Sequence, residues 1–115
     1  VLVCVELEAR FHDAVIESAI WGVSVLSADA RPAAAWLATR GRPLHGQLDR
    51  WPHHRGAVTG VALLDQAVAH LECRTEASYP GGDHTIVLGR VLAADVAADA
   101  GAALGYHRGT YVRLD

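Results

Sequence analysis

The chain breaks into short apolar runs separated by glycine, proline and charge, and the period of each run predicts its element. Val1-Leu2-Val3-Cys4-Val5 is continuously apolar and reads as a buried strand. From Glu8 to Ser18 the apolar residues Phe11, Val15 and Ile16 fall at helical spacing with Asp13 in an early turn, which predicts a short helix. Trp21 to Ser27 carries β-branched residues and predicts a strand. Asp29 ahead of Arg31-Pro32 predicts an N-cap with proline early in a helix through Ala38, ended by Gly41 or Gly46. Arg40 to Arg55 holds Pro43, Gly46 and Pro52 and reads as loop, and Val61 to Leu64 as a short strand.

Ala67 to Glu76 alternates. One face carries Ala67, Ala69, Leu71 and Cys73; the other carries His70, Glu72, Arg74 and Glu76. That is the period of a half-buried strand. Glycines accept positive φ without steric cost, so Pro80-Gly81-Gly82-Asp83 predicts a hairpin turn. The turn delivers His84 to the mouth of a second apolar strand that runs into Gly89-Arg90-Val91. Ala93 to Gly105 is rich in Ala, Asp and Gly and predicts a crossover loop with a helical turn, and Tyr106 to Leu114 closes the chain as a strand. Many short strands with few helices point to a single all-β barrel domain with helical insertions over residues 1–115, without internal repeats.

Composition narrows the function. The chain has 115 residues, half of them apolar and a fifth charged, which suits one small soluble domain. A net charge of −3 argues against a general nucleic-acid binder, which needs excess positive charge. No apolar run reaches membrane-spanning length and no signal-peptide pattern appears. Cys4 and Cys73 both fall in apolar strands and are expected to be buried free thiols. There is no Gly-x-Gly-x-x-Gly fingerprint and no phosphate-binding Walker loop. The seven histidines are scattered, with His53 and His54 adjacent, so no metal site is expected. No serine elbow and no locally activated cysteine supports nucleophilic catalysis.

Three blocks, in order, carry a family resemblance. Cys4-Val5 is followed by Ala9-Arg10-Phe11-His12-Asp13 and the strand Trp21-Gly22-Val23-Ser24-Val25-Leu26-Ser27. Leu71-Glu72-Cys73 precedes Gly82-Asp83-His84 and Gly89-Arg90-Val91, and Tyr106-His107-Arg108-Gly109-Thr110-Tyr111 closes the set. The chain resembles the flavin reductase-like family, the FMN-binding split β-barrels with Greek-key-like topology that reduce flavin with a nicotinamide.

The resemblance implies a six-to-seven-stranded split barrel, a cytoplasmic homodimer, FMN or FAD as cofactor, NADH or NADPH as co-substrate, and a partner flavin-dependent monooxygenase. Members of that family carry an earlier strand pair and a polar loop, so a segment upstream of Val1, holding part of the flavin, is expected to be missing from this sequence. Flavin reduction asks the protein chiefly to stack, orient and tune two cofactors. His84 is the expected catalytic residue, bonding the flavin edge or the nicotinamide carboxamide; alternatively it only caps its turn. The turn Glu6 to Phe11 leads into a helix N-terminus, whose free N–H groups favour an anion. Glu8, Ala9, Arg10 and Phe11 are therefore expected beside the flavin phosphate. Here Glu6, Glu8 and Phe11 replace the family's Asn, Ser and Thr, so Arg10 and backbone amides must offset two carboxylates, unless Arg10 merely pairs with Glu6 or Asp13. Tyr106 and Arg108 complete the expected cofactor contacts, against the plainer readings of a barrel-edge aromatic and a solvated arginine. The loop with Arg40, Arg42, Arg50, Arg55, His45, His53 and His54 is either solvated or an electropositive lip for a dinucleotide, with Trp51 as cover or anchor. The competing class is a non-catalytic flavin- or haem-binding split barrel, and the Gly-Asp-His turn speaks against a pyridoxamine-phosphate-oxidase-like enzyme.

Overall fold

The computed structural model of the chain describes residues 1–115. In chain order the elements are β1 (Leu2–Glu6), α1 (Arg10–Ser18), β2 (Ile20–Leu26), a single 3₁₀ turn (Ala28–Ala30), α2 (Arg31–Leu37), β3 (His53–Arg55), β4 (Ala62–Leu64), β5 (Ala67–Gly81), β6 (His84–Val96), β7 (Ala103–His107) and β8 (Thr110–Leu114). Eight strands replace the six or seven expected. Four form an antiparallel sheet in the order β1-β6-β5-β2, and two antiparallel ribbons, β3-β4 and β7-β8, complete the fold.

The long β5-β6 hairpin is the spine. Its register runs from Ala69 opposite Val96 to Gly81 opposite His84, leaving Gly82 and Asp83 as a two-residue turn. Gly82 has φ +68°, the backbone that such a turn requires and that glycine adopts freely. The sheet curls so that its edge strands β1 and β2 face each other across a groove, giving the half-barrel. The core is one cluster of Val5, Val15, Trp21, Cys73 and Val87, with Val3, Ala9, Val23 and Leu71 packed against it. From α1 only Val15 is buried, while Phe11 and Ile16 stay exposed, because one short helix lays a narrow stripe on the sheet.

Several local expectations change. Asp29 does not cap α2; it lies inside the 3₁₀ turn, and Ala30 precedes the helix without a side-chain bond. The helix ends at Leu37, ahead of both candidate glycines. His53–Arg55, expected as loop, pairs with β4. Most of Ala93–Gly105 is strand, since β6 runs to Val96 and β7 starts at Ala103. Tyr106 to Leu114 is a hairpin rather than one strand: Arg108 and Gly109 both take positive φ, +52° and +76°, and reverse the chain. Cys4 is exposed, because it points off the outer face of β1, while Cys73 is buried and its thiol pushed up by burial. Glu72, assigned to the polar face, is buried because the β3-β4 ribbon and the loop that joins its two strands cover that face.

Candidate functional site

The turn between β1 and α1 and the tip of the β5-β6 hairpin lie side by side. Glu6 is the register partner of His84, and the Leu7 N–H donates to the Asp83 carbonyl at 2.9 Å. Side chains strengthen the join. His12 on α1 donates from Nδ1 to Asp13 (3.0 Å), so in its neutral form Nε2 accepts the Thr85 hydroxyl (2.8 Å). Thr85 is the residue after His84, so α1 holds the strand that positions His84.

His84 itself is 37% exposed at its side chain, with Nδ1 2.8 Å from Asp83 Oδ1. The bond to His84 is the main reason the Asp83 carboxyl lies below its ordinary range, with its own backbone N–H and the His84 charge adding to it. With Nδ1 donating to Asp83, Nε2 of the neutral ring is left as an acceptor, and the ring borders a shallow space beside Leu7, His12 and Tyr79.

Glu8, Ala9, Arg10 and Phe11 line a polar cavity of about 400 Å³ together with Glu6 and the segment Leu37 to Arg42. Arg10 Nη2 donates to the Arg42 carbonyl (2.8 Å), tying α1 to that segment rather than pairing with Glu6 or Asp13. Glu6 instead meets Arg40 at 3.4 Å, an exposed pair of small energetic weight. Arg42 is fixed by Gln47 (3.0 Å) and the Thr39 carbonyl (3.2 Å). Of the expected arginine lip, Arg40 and Arg42 reach this cavity. Arg50 instead lies between the rings of Trp36 and Trp51, 5.7 and 5.4 Å from their centroids, and Arg55 donates to the Gly60 carbonyl (2.9 Å).

Through Glu6, Ala9 and Phe11 the polar cavity joins an open groove of about 480 Å³ between β1 and β2, walled by Val3, Val5, Trp21 and Val23. An apolar slot opening onto a polar, arginine-bearing end suits a flat ring system with an anionic tail. Tyr106 and Arg108 line neither space: both are exposed on the β7-β8 ribbon, where Tyr106 packs edge-on against Tyr111 (5.1 Å). Sequence reasoning overlooked the His12–Thr85 bond. Its signal was a helical histidine one residue after the anion turn, and nothing short of the fold pairs it with Thr85.

Comparison with known proteins places this geometry. The whole chain, residues 1–115, matches the family described as flavin reductase like domain. It is 40% identical to an NADH-dependent FMN reductase of Streptomyces nodosus subsp. asukaensis, over 99% of this chain and 62% of that protein. It is 41% identical to an NADH-dependent FAD reductase of Streptomyces globisporus, over 82% of this chain and 52% of that protein. In structure it superposes on BorF, the flavin reductase component of a bacterial two-component tryptophan halogenase, with TM-score 0.91 and 43% identity, covering 98% of this chain and 71% of BorF. The chain thus spans roughly half to three fifths of the length of these two relatives.

Proposed function

The chain belongs to the flavin reductase-like family, and on that premise we propose that the protein transfers hydride from NADH to FMN or FAD and supplies the reduced flavin to a flavin-dependent monooxygenase. The observation that carries this is the apolar β1-β2 groove opening through Glu6, Ala9 and Phe11 into the arginine-bearing pocket at the start of α1. Bound flavin supplies the redox chemistry, accepting a hydride at its ring. The protein's part is to hold and orient. Val3, Val5, Trp21 and Phe11 would cover the ring. The backbone amides at Ala9 to Phe11, with Arg10, Arg40 and Arg42, would meet the phosphate end against the opposing charges of Glu6 and Glu8. His84 would receive the carboxamide N–H of the nicotinamide at Nε2, with Asp83 fixing its tautomer.

The same reading includes a homodimer. The outer face of the sheet leaves Leu2 and Tyr79 exposed, apolar surface that a second copy would cover, and Tyr106 and Arg108 would serve the neighbouring subunit's site. NADH is an intracellular reductant, which supports a cytoplasmic setting. Mixing the protein with NADH and either FMN or FAD should give loss of nicotinamide absorbance that depends on flavin. Flavin binding without any NADH oxidation would replace the enzyme with a binding module. Sedimentation of a fully active monomer at micromolar concentration would remove the dimer.

A further inference from the structure

Away from the groove and the α1 pocket, a separate cavity of about 240 Å³ lies between the β3-β4 ribbon and strands β5 and β6. Its chemistry is one-sided. Glu72, only 6% exposed, forms part of its wall. Oε1 of Glu72 takes the Thr59 hydroxyl (2.7 Å), the Thr59 N–H (2.8 Å) and the Val58 N–H (3.2 Å), while Oε2 accepts no bond from the protein. A Cβ at Gly56 would collide with this carboxylate, so glycine is what lets the charge lie against the loop.

Two imidazoles meet edge-on at the same cavity, His54 and His70, 5.4 Å apart. His54 Nδ1 donates to Asp65 (2.7 Å) and His70 Nε2 donates to the Leu64 carbonyl (2.7 Å). The remaining nitrogens, His54 Nε2 and His70 Nδ1, have no partner in the protein and in neutral rings are acceptors. Asp95, opposite His70 in the β5-β6 register, adds a second carboxylate. The one fixed cation nearby, Arg55, is turned to the Gly60 carbonyl. Leu63 and Ala93, the latter opposite Glu72 in the β5-β6 register, give the wall its apolar part.

We propose that this cavity binds a small organic cation with a planar, multi-donor head, a guanidinium or amidinium group. Acceptors without matching donors call for a ligand that brings several N–H groups and positive charge together. A guanidinium forks onto a carboxylate and lays its face on an imidazole, which a compact ammonium does less well. A metal ion is a poorer match, because no three His, Cys, Asp or Glu side chains converge as ligands. The lining shares no residue with the proposed flavin site, so this inference stands or falls independently of the reductase activity.

The test titrates methylguanidinium into the full chain at millimolar concentration while the imidazole Cε1–H resonances are followed by NMR. Saturable shifts confined to His54 and His70 are expected, with methylurea, its uncharged analogue, giving none. Asp95→Asn should weaken binding about tenfold, the loss of one charge-assisted contact at 1.4 kcal/mol per decade. Ala93→Phe, at the position opposite Glu72, should abolish it by filling the cavity. Both variants leave the Glu72 bonds to Val58 and Thr59 in place, so their folding is checked by an unchanged melting temperature. Shifts that rise linearly without saturating, an equal response to methylurea, or undiminished affinity in both variants would overturn the proposal.

Discussion

Gly89→Ala offers a sharp test of how the core supports the groove. Gly89 lies in β6 opposite Thr75, directly under the Trp21 indole. An added Cβ would stand 2.8 Å from Trp21 Cη2, closer still to Cζ2, and 3.2 Å from the Cys73 Cβ. Trp21 has little room to yield: it is 4% exposed, and its Nε1 donates to the Thr75 hydroxyl at 3.0 Å. Overpacking of this kind costs about 1–3 kcal/mol. If the indole tips away, the Thr75 bond goes too, adding about 1 kcal/mol. The expected loss is therefore about 2–4 kcal/mol, or roughly 10–20 °C in melting temperature for a domain of this size. Urea unfolding followed by circular dichroism measures it. Trp21→Phe removes the colliding ring atoms, so in that background Gly89→Ala should cost under about 1 kcal/mol, a coupling that marks direct contact. Because Trp21 also walls the β1-β2 groove, Gly89→Ala should weaken flavin binding as well. Equal cost in both backgrounds, or stability within about 0.5 kcal/mol of the parent, the range of an ordinary surface change, would refute the reasoning.

Three further outcomes are expected. His84→Ala should slow flavin reduction about ten- to a hundredfold, the loss of one or two hydrogen bonds to a ligand, with little change in melting temperature; a less stable variant with normal single-turnover kinetics would return His84 to a turn-capping role. His12→Ala should lower the same rate several-fold by freeing Thr85 and the strand bearing His84, and should add nothing in a Thr85→Val background; additive losses would show that the 2.8 Å bond is not the link. Glu72 is held below the ordinary carboxyl value of 4.5, first by the Thr59 hydroxyl and then by the Thr59 N–H, with the Val58 N–H and the His54 charge acting in the same direction against burial. A depressed carboxyl stabilises the fold fully above its unfolded value and loses that contribution as pH falls through the folded one. Melting curves between about pH 7 and pH 3 should therefore show a shallower acid limb in Glu72→Gln than in the parent, and identical slopes would contradict the assignment.

Local patterns along the chain determined β1, β2, β4, the β5-β6 hairpin and the α1 and α2 segments, because apolar period and glycine chemistry act over a few residues and survive any later packing. The alternation of Ala67 to Glu76 and the paired glycines at 81 and 82 made the hairpin legible, and with it the place of His84 at its mouth. The blocks of residues that resemble a family led to the half-barrel and to flavin. What lay beyond reach depended on contacts between distant segments. Glu72 reads as a solvated strand residue until the Gly56–Val61 loop closes over it, and no pattern within β5 announces a cover supplied by β3 and β4. The turn at Arg108 and Gly109 was missed because positive φ at an arginine leaves no mark in composition, so two strands looked like one. Arg10 was read as a phosphate contact or else a partner for Glu6 or Asp13, yet in three dimensions it donates to the Arg42 carbonyl and to neither acid. His12 and Thr85 are far apart in sequence and meet only because α1 folds back onto the tip of the hairpin. Periodicity reports which face of an element turns inward; only tertiary packing decides what stands opposite it, and the chemistry of this site is made of such opposites.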